Sequence, residues 1–414
     1  MDLTPPLEAQ RAPIITRTFY TLKYRDFRLY WFATFVSLLG VSFQTLAQGW
    51  LVYRLTDSPL MLGLVGFIAG VFAAPLWLVG GVIADRFPRR RLLIITQTLS
   101  IFPPLIMAVL IWTDAVQVWH VILMTAVIAV IAAVDIPARF AIIPNLVPEE
   151  DLGNAQALSS LARQVTRIIG PALAGIVIAV AGEALCFALN GLSYGALVIA
   201  FSAMHTRSIP TAKKESVRKS LSEGVRYTLY TPVVLGLLGL VLIQGLFLSS
   251  HITLLPVYAR DILGIGSTGL GYMTSALGVG AIIGALAVGN LAPGKRGRFL
   301  LIASLCMPFV LVIYAWSRYV PISLLMLGLL GAGTVVLTTT SITLFLLTLP
   351  DEFRGRVSSL GAMLFFGAPM VGALVIGYVA EQRGSVIALA IAAGLFLIFD
   401  VILFWRVRDL RKLK

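Results

Sequence analysis

Apolar residues fill this chain in runs of about 20 or more, separated by short polar breaks that hold most of its charges. Runs of that length cross roughly 30 Å of hydrocarbon as helices, which satisfy their own backbone hydrogen bonds where no water is present. Twelve spans are predicted. The first six are Leu29–Tyr53, Met61–Ile83, Leu92–Trp112, Val118–Ala138, Ala157–Ala181 and Ala184–Met204. The second six are Val233–Tyr258, Leu270–Leu291, Phe299–Trp316, Ile322–Leu347, Val357–Val379 and Val386–Trp405. The polar stretches left over, 1–28, 205–232 and 406–414, are too short to fold as domains. The first apolar run continues to Tyr53, too long for a cleaved signal peptide, and reads as a retained span.

Composition agrees: 58% of residues are hydrophobic and 12% charged, against about a quarter charged in soluble domains. A net charge of +13 would suggest nucleic acid only if it formed a patch on a soluble domain, and it does not. Instead, 26 of the 32 Lys and Arg residues fall on alternate loops and the two termini. The opposite loops carry Arg54, Arg260, Arg318 and Arg383, and the last two, Arg163 and Arg167, lie inside a span. The positive-inside rule then puts both termini in the cytoplasm. An all-α, multi-pass membrane protein is expected, with the bilayer as its main partner and a monomer as its state.

The chain repeats itself. Gly81-Val-Ile-Ala84 through Arg90-Arg-Leu92-Leu93-Ile94 aligns without gaps, 208 residues on, with Gly289-Asn-Leu-Ala292 through Arg298-Phe-Leu300-Leu301-Ile302. Val147-Pro148-Glu149-Glu150, Gly153, Gly170-Pro171 and Gly175 are echoed by Leu349-Pro350-Asp351-Glu352, Gly355, Gly367, Pro369 and Gly372. Two pseudo-symmetric six-helix bundles, 29–204 and 233–405, joined by the linker 205–232, follow. Such repeats build transporters with a midplane site that opens to each side in turn.

Polar residues inside the spans are the candidates for chemistry. Arg163 and Arg167 are one helical turn apart on the face that also carries Pro171, and intramembrane charge is functional by default. They are expected either to pair with Asp135 or to meet an anionic group on a substrate, while snorkelling is the plain alternative for Arg163. Thr34, Ser37, Gln44 and Gln48 form a stripe on span one, and Gln244 and His251 lie seven apart on span seven. Asn190 with Tyr194, and Thr334 with Thr338, form weaker stripes. Each stripe suits a cavity wall or hydrogen bonds between helices. Gly170, Pro171 and Gly175 would let span five bend and pack closely.

With Trp50 and Phe247 nearby, such polar positions suit an amphipathic substrate. Proton coupling needs a titrating group; Asp135, Asp400 and His251 are the candidates, Asp400 having the simpler reading of an arginine partner. The two cysteines, Cys186 and Cys306, sit inside apolar runs and suggest neither disulfide nor metal. No phosphate-binding glycine loop, nucleophile pattern or metal-ligand spacing is present, so no cofactor, no enzyme activity and no ATP-driven step is expected.

Gly81-Val-Ile-Ala-Asp85-Arg86-Phe-Pro-Arg89-Arg90-Arg91 resembles the cytoplasmic loop motif of the major facilitator superfamily. Further matches run along most of the chain: Gln48-Gly-Trp50-Leu-Val-Tyr53, Asp135-Ile-Pro137-Ala-Arg139, Arg167-Ile-Ile-Gly170-Pro171, and Leu255-Pro256-Val-Tyr-Ala259-Arg260-Asp261. Together they are similar to the bacterial exporter branch of enterobactin exporters, macrolide efflux proteins and lysophospholipid transporters.

The resemblance implies a secondary active exporter of a siderophore, drug or lipid, working by alternating access. It also implies a cytoplasmic latch of Asp85, Arg86, Arg89, Arg90, Asp135 and Arg139, for which topogenic charge alone is the simpler reading. Pro88 and Pro293 depart from the motif, as do Thr166 and Ala174 on span five, so proton antiport is not carried over by analogy. An uncoupled lipid flippase and a transporter-like receptor or assembly partner are the alternatives. If the latch holds, Asp85→Asn biases the protein toward an inward-open state. Paired spin labels across the cytoplasmic mouth would then move apart; unchanged distances would leave these charges a topogenic role only.

Overall fold

A computed structural model describes residues 19–205, 226–228 and 230–407, without the side chains of 73–75, 77–86, 293, 351, 352, 354–356 and 359. The expected linker therefore lies mostly outside the described residues, as do the side chains of Asp85 and Arg86. The described chain is helical, with no strand. Its helices are α1 (Arg25–Thr56), α2 (Pro59–Arg86), α3 (Arg89–Trp112), α4 (Val118–Ile142), α5 (Leu152–Ala203) and α6 (Pro232–Ile243). They continue with α7 (Gly266–Gly289), α8 (Arg296–Trp316), α9 (Val320–Thr348), α10 (Asp351–Arg383) and α11 (Ser385–Arg406).

Ten described stretches are long and apolar enough to cross a membrane, and Pro59–Phe72 adds a shorter apolar run. Their outward faces carry large apolar side chains, Val180 at 83% and Ile199 at 72% exposure. Such a surface is tolerable in lipid and not in water. This is a multi-pass membrane protein.

Two compact units result: Met1–Gln48 with Pro75–Lys213, and Gly49–Ala74 with Lys214–Lys414. In the first, α5 is one helical stretch of 52 residues broken at Gly182, whose φ of 79° only glycine adopts readily. Its backbone stays helical through Pro171, so the break between the expected spans five and six needs no loop. A core of Phe27, Leu93, Ile142, Leu158, Leu197 and Phe201 ties α1, α3, α4 and α5 together.

In the second unit, Gly280 and Gly284 of α7 meet Gly328 and Ala332 of α9 backbone to backbone. Small residues four apart are how helices approach closely where lipid supplies no hydrophobic drive. The repeated loops differ in one respect. Helix α2 runs to Arg86, whereas α7 stops at Gly289 before Pro293, which has no N–H to continue it.

Span seven corrects the expectation of one α-helix over Val233–Tyr258. Pro232–Ile243 is α-helical; a π turn at Gln244–Leu248, a 3₁₀ segment at Ser249–Leu254, one α turn at Leu255–Val257 and a second π turn at Tyr258–Ile262 follow. Pro256 lacks an amide hydrogen and crowds the carbonyl one turn back, which disfavours regular α geometry there. Gly245 lies where a side chain would press on Ala368 and Pro369 of α10. The seven-residue spacing of Gln244 and His251 therefore does not define an α-helical stripe.

A methyl group at Gly280 would collide with the Gly328 carbonyl, whereas one at Gly394 meets nothing within 4 Å. Gly280→Ala is expected to cost about 1–3 kcal/mol from overpacking. Gly394→Ala should be neutral; thermal melts of the detergent-purified variants check both.

Candidate functional site

The first unit encloses a cavity of about 350 Å³ between α1, α3, α4 and α5. Its walls are largely apolar, from Leu38, Val41, Ile128 and Ile131, with a polar group set among them. Tyr30, Thr34 and Ser37 face it from α1, Gln97 from α3, Asp135 and Arg139 from α4, and Arg163 and Tyr194 from α5. Thus the expected stripe on span one divides. Thr34 and Ser37 line the cavity, whereas Gln44 accepts a 2.5 Å hydrogen bond from Asn190 Nδ2 and Gln48 donates to Thr125 Oγ1 at 3.1 Å.

Asp135 is buried and fully engaged. Its carboxylate accepts from Thr96 Oγ1 at 2.7 Å and from Gln97 Nε2 at 2.5 Å. Arg139 Nε, one turn on along the same helix, donates to it at 2.5 Å. The expected pairing of Asp135 with Arg163 or Arg167 is therefore not what forms: Arg139 at i+4 is held in place by the helix itself. The Gln97 amide oxygen is left buried and without a partner.

Arg163 donates to the neutral Ser160 hydroxyl at 2.7 Å. Arg167 is exposed, and among the described residues neither arginine makes an ion pair. With Asp135 and Arg139 cancelling, the cavity carries one uncompensated positive charge, that of Arg163.

Arg89 and Arg90, expected in a latch, bind carbonyls within the first unit. Arg89 Nη1 donates to Ala141 O at 2.8 Å and to Asn145 Oδ1 at 3.2 Å. Arg90 donates to Phe201 O and Ser202 O, both at 2.6 Å, placing a cation on the C-terminal carbonyls of α5. Gly170 lies where a Cβ would meet that of Ser42 at 2.6 Å, so it permits close packing on α1; Pro171 and Gly175 are buried beside it.

In the second unit, Gln244 is buried and donates to Thr334 O at 3.0 Å and Thr338 Oγ1 at 2.9 Å, joining two expected stripes. His251 is 1% exposed, its Nδ1 2.6 Å from Leu248 O and its Nε2 without a partner. Neither lines a cavity described in this unit.

The second unit also holds a cluster that sequence reasoning missed. Arg260 pairs with Asp57 at 2.6 Å and Asp261 at 2.7 Å and lies 4.1 Å over the Tyr53 ring. Tyr53 donates to Asp261, and Ser58 Oγ to Glu381 at 2.8 Å. The signal was present in the adjacent Arg260 and Asp261 of a chain poor in charge. No group of three metal-ligating side chains occurs among the described residues.

The family model described as transmembrane secretion effector matches residues 16–413. The chain belongs to that family. It is a transporter of the major facilitator type rather than an enzyme, as the loop motif implied. Among curated relatives, it is 24% identical over 392 residues to "Enterobactin exporter EntS" of Shigella boydii serotype 18, covering 94% of this chain and 93% of that one. The same figures hold for the protein of that name in Escherichia coli O81.

Crystal structures share the fold. A bacterial homologue of the human lysosomal transporter Spinster, inward-facing and occupied, superposes with a TM-score of 0.72 at 13% identity, over 93% of this chain and 97% of that one. The nucleoside transporter NupG gives 0.71 at 12%, over 94% and 100%. A bacterial homologue of the iron transporter ferroportin gives 0.69 at 17%, over 91% and 98%.

Removing one partner of a buried ion pair leaves the other charge unmatched. Arg139→Gln is expected to destabilise the folded protein by about 3 kcal/mol, and the double variant Asp135→Asn/Arg139→Gln to recover most of that loss. Thermal melts of the single and double variants are the check.

Proposed function

We propose that the chain is a secondary active exporter in the bacterial cytoplasmic membrane, moving an amphipathic anion by alternating access. Arg163, the one uncompensated charge in a cavity whose walls are largely apolar, carries this reading, because a guanidinium without a carboxylate partner is the natural receptor for an anionic group. Export direction is supported by the family's description as secretion effectors and by the relatives' names, which also put enterobactin first among probes.

The same reading gives twelve crossings with both termini cytoplasmic, in two bundles, 29–204 and 233–405. The stretch Glu149–Ala203, of 55 residues, would extend about 80 Å as one helix at 1.5 Å per residue and is broken at Gly182, so it supplies two crossings. Helix α2, of 28 residues beginning with the apolar Pro59–Phe72, supplies another. The charge asymmetry of the loops orients them. Arg167, one turn from Arg163 but outside the cavity lining and exposed, would meet the anion on its approach to the cavity.

Proteoliposomes offered enterobactin, an anionic dye, a cationic dye and a lysolipid test this. The wild type should move the anions in preference. Arg163→Ala should slow them roughly tenfold, the worth of one charge-assisted hydrogen bond, with Arg163→Lys in between. Arg167→Ala should also slow anion transport while leaving folded protein in the membrane. Preference for the cationic dye, or normal anion transport by both alanine variants, would overturn the assignment.

A further inference from the structure

Asp400, on α11, is fully buried at 0% exposure. Its hydrogen-bond partner is the Ser304 hydroxyl on α8, and its Oδ1 is buried with none. The arginine expected beside it is not there: the ion pairs of the described residues lie elsewhere. Asp135 and Asp400 thus sit in opposite settings. The first has three donors including a guanidinium; the second has one hydroxyl, which serves a carboxylic acid as acceptor as readily as it serves a carboxylate as donor. An uncompensated charge at such a site is strongly disfavoured, and the neutral acid is not.

Among the described side chains, the elements packed on α11 bring no ion-pair partner to Asp400. Helix α8 carries Arg296 and Arg298 at its start; Arg298 is six residues before Ser304, about 9 Å along the helix. Its other titratable groups are Cys306, exposed on the outer face, and Tyr314, further along. Helix α6 and the π turn after it hold no titratable side chain.

Helix α10 carries Asp351, Glu352, Arg354 and Arg356 at its start, whose side chains are outside those described, and Tyr378, Glu381 and Arg383 towards its end. Arg356 is twelve residues before Ala368, about 18 Å, and Ala368 abuts the π turn at Gly245. On α11 itself, Arg406 is six residues on, about 9 Å.

The carboxyl is also coupled to a deformable element. Phe399, its neighbour in sequence, stacks on Phe247 of the π turn at 5.8 Å with the ring planes 6° apart. Leu403, one turn on, lies over Gly239 of α6. Single π turns inside helices occur frequently at functional sites, and a mid-helix 3₁₀ stretch, here Ser249–Leu254, often marks a hinge.

We propose that Asp400 is the proton-carrying carboxyl of the transport cycle. It holds a proton in this state; when the π turn rearranges and admits water, the O–H bond breaks and the proton passes to water. Coupling in this form rests on the reading of the chain as a secondary active transporter, whereas occupancy of the site does not.

Two measurements separate them. Infrared titration of the full chain in lipid, without substrate, should show the carbonyl stretch of a protonated carboxyl that Asp400→Asn removes and Ser304→Ala shifts. Identical spectra for wild type and Asp400→Asn would overturn the proton assignment. In proteoliposomes loaded with enterobactin, an imposed pH gradient should accelerate transport by the wild type, while Asp400→Asn should run at one rate with or without the gradient. An unchanged gradient response in that variant would overturn coupling at Asp400. Failure of the wild type to move any probe would count against the exporter reading and leave the infrared result to decide the site.

Discussion

Hydrocarbon offers no hydrogen bonds, and this absence governs the molecule from backbone to site. It forces the described chain into helices, and it requires each polar side chain within a span to find its partner on a neighbouring helix or its own. Most do: Gln44 with Asn190, Gln48 with Thr125, Gln244 with Thr334 and Thr338, and Asp135 with three donors at once. Against that background the exceptions stand out. Among the described residues, Arg163 and Arg167 lack a counter-charge, Asp400 lacks a cation, and the Gln97 oxygen, His251 Nε2 and the hydroxyls of Thr34, Tyr314, Thr340 and Ser341 lack any partner. The charged and titratable ones among them are the costliest to hold in hydrocarbon.

The two units spend their polarity differently. In the first, charges cluster around one cavity, and a compensated carboxylate orients the arginine beside it. In the second, the interior polar groups are amides, hydroxyls, a histidine and a carboxyl with no cation, and the helix that carries Gln244 and His251 departs from α geometry. The sequence had suggested this division, since the first half keeps Asp85, Asp135, Arg163 and Arg167 while the repeat puts Pro293 opposite Asp85. In the second half it had offered His251 and Asp400 as titrating candidates, with an arginine partner as the simpler reading of Asp400; Asp400, buried against Ser304, is the better placed of the two.

How much was legible follows from what hydropathy encodes. Length and apolarity determine which stretches can cross a membrane, so the apolar helices themselves could be read from one dimension. Hydropathy says little about how far a helix is rotated about its axis, and that rotation selects partners. Hence the family-like motifs at Tyr53 and at Arg260–Asp261 were visible separately, but not that Arg260 bridges Asp57 and Asp261. The pairing of Asp135 with Arg139 was within reach, as the two are four residues apart on one predicted helix. The irregular course from Gln244 to Ile262 was not, because only Pro256 hinted at it.

The break at Gly182 has a mechanical side. Two helical stretches joined by a single glycine, with no intervening loop, have no slack between them. A displacement of the first along its axis must draw the second with it, so Arg163 and Arg167 on one side of the break and Asn190 and Tyr194 on the other keep their spacing. The binding wall and the helix that bounds it thus travel as one hairpin, and the chain has no length to spare there for a protease cut, a fused reporter or an inserted residue.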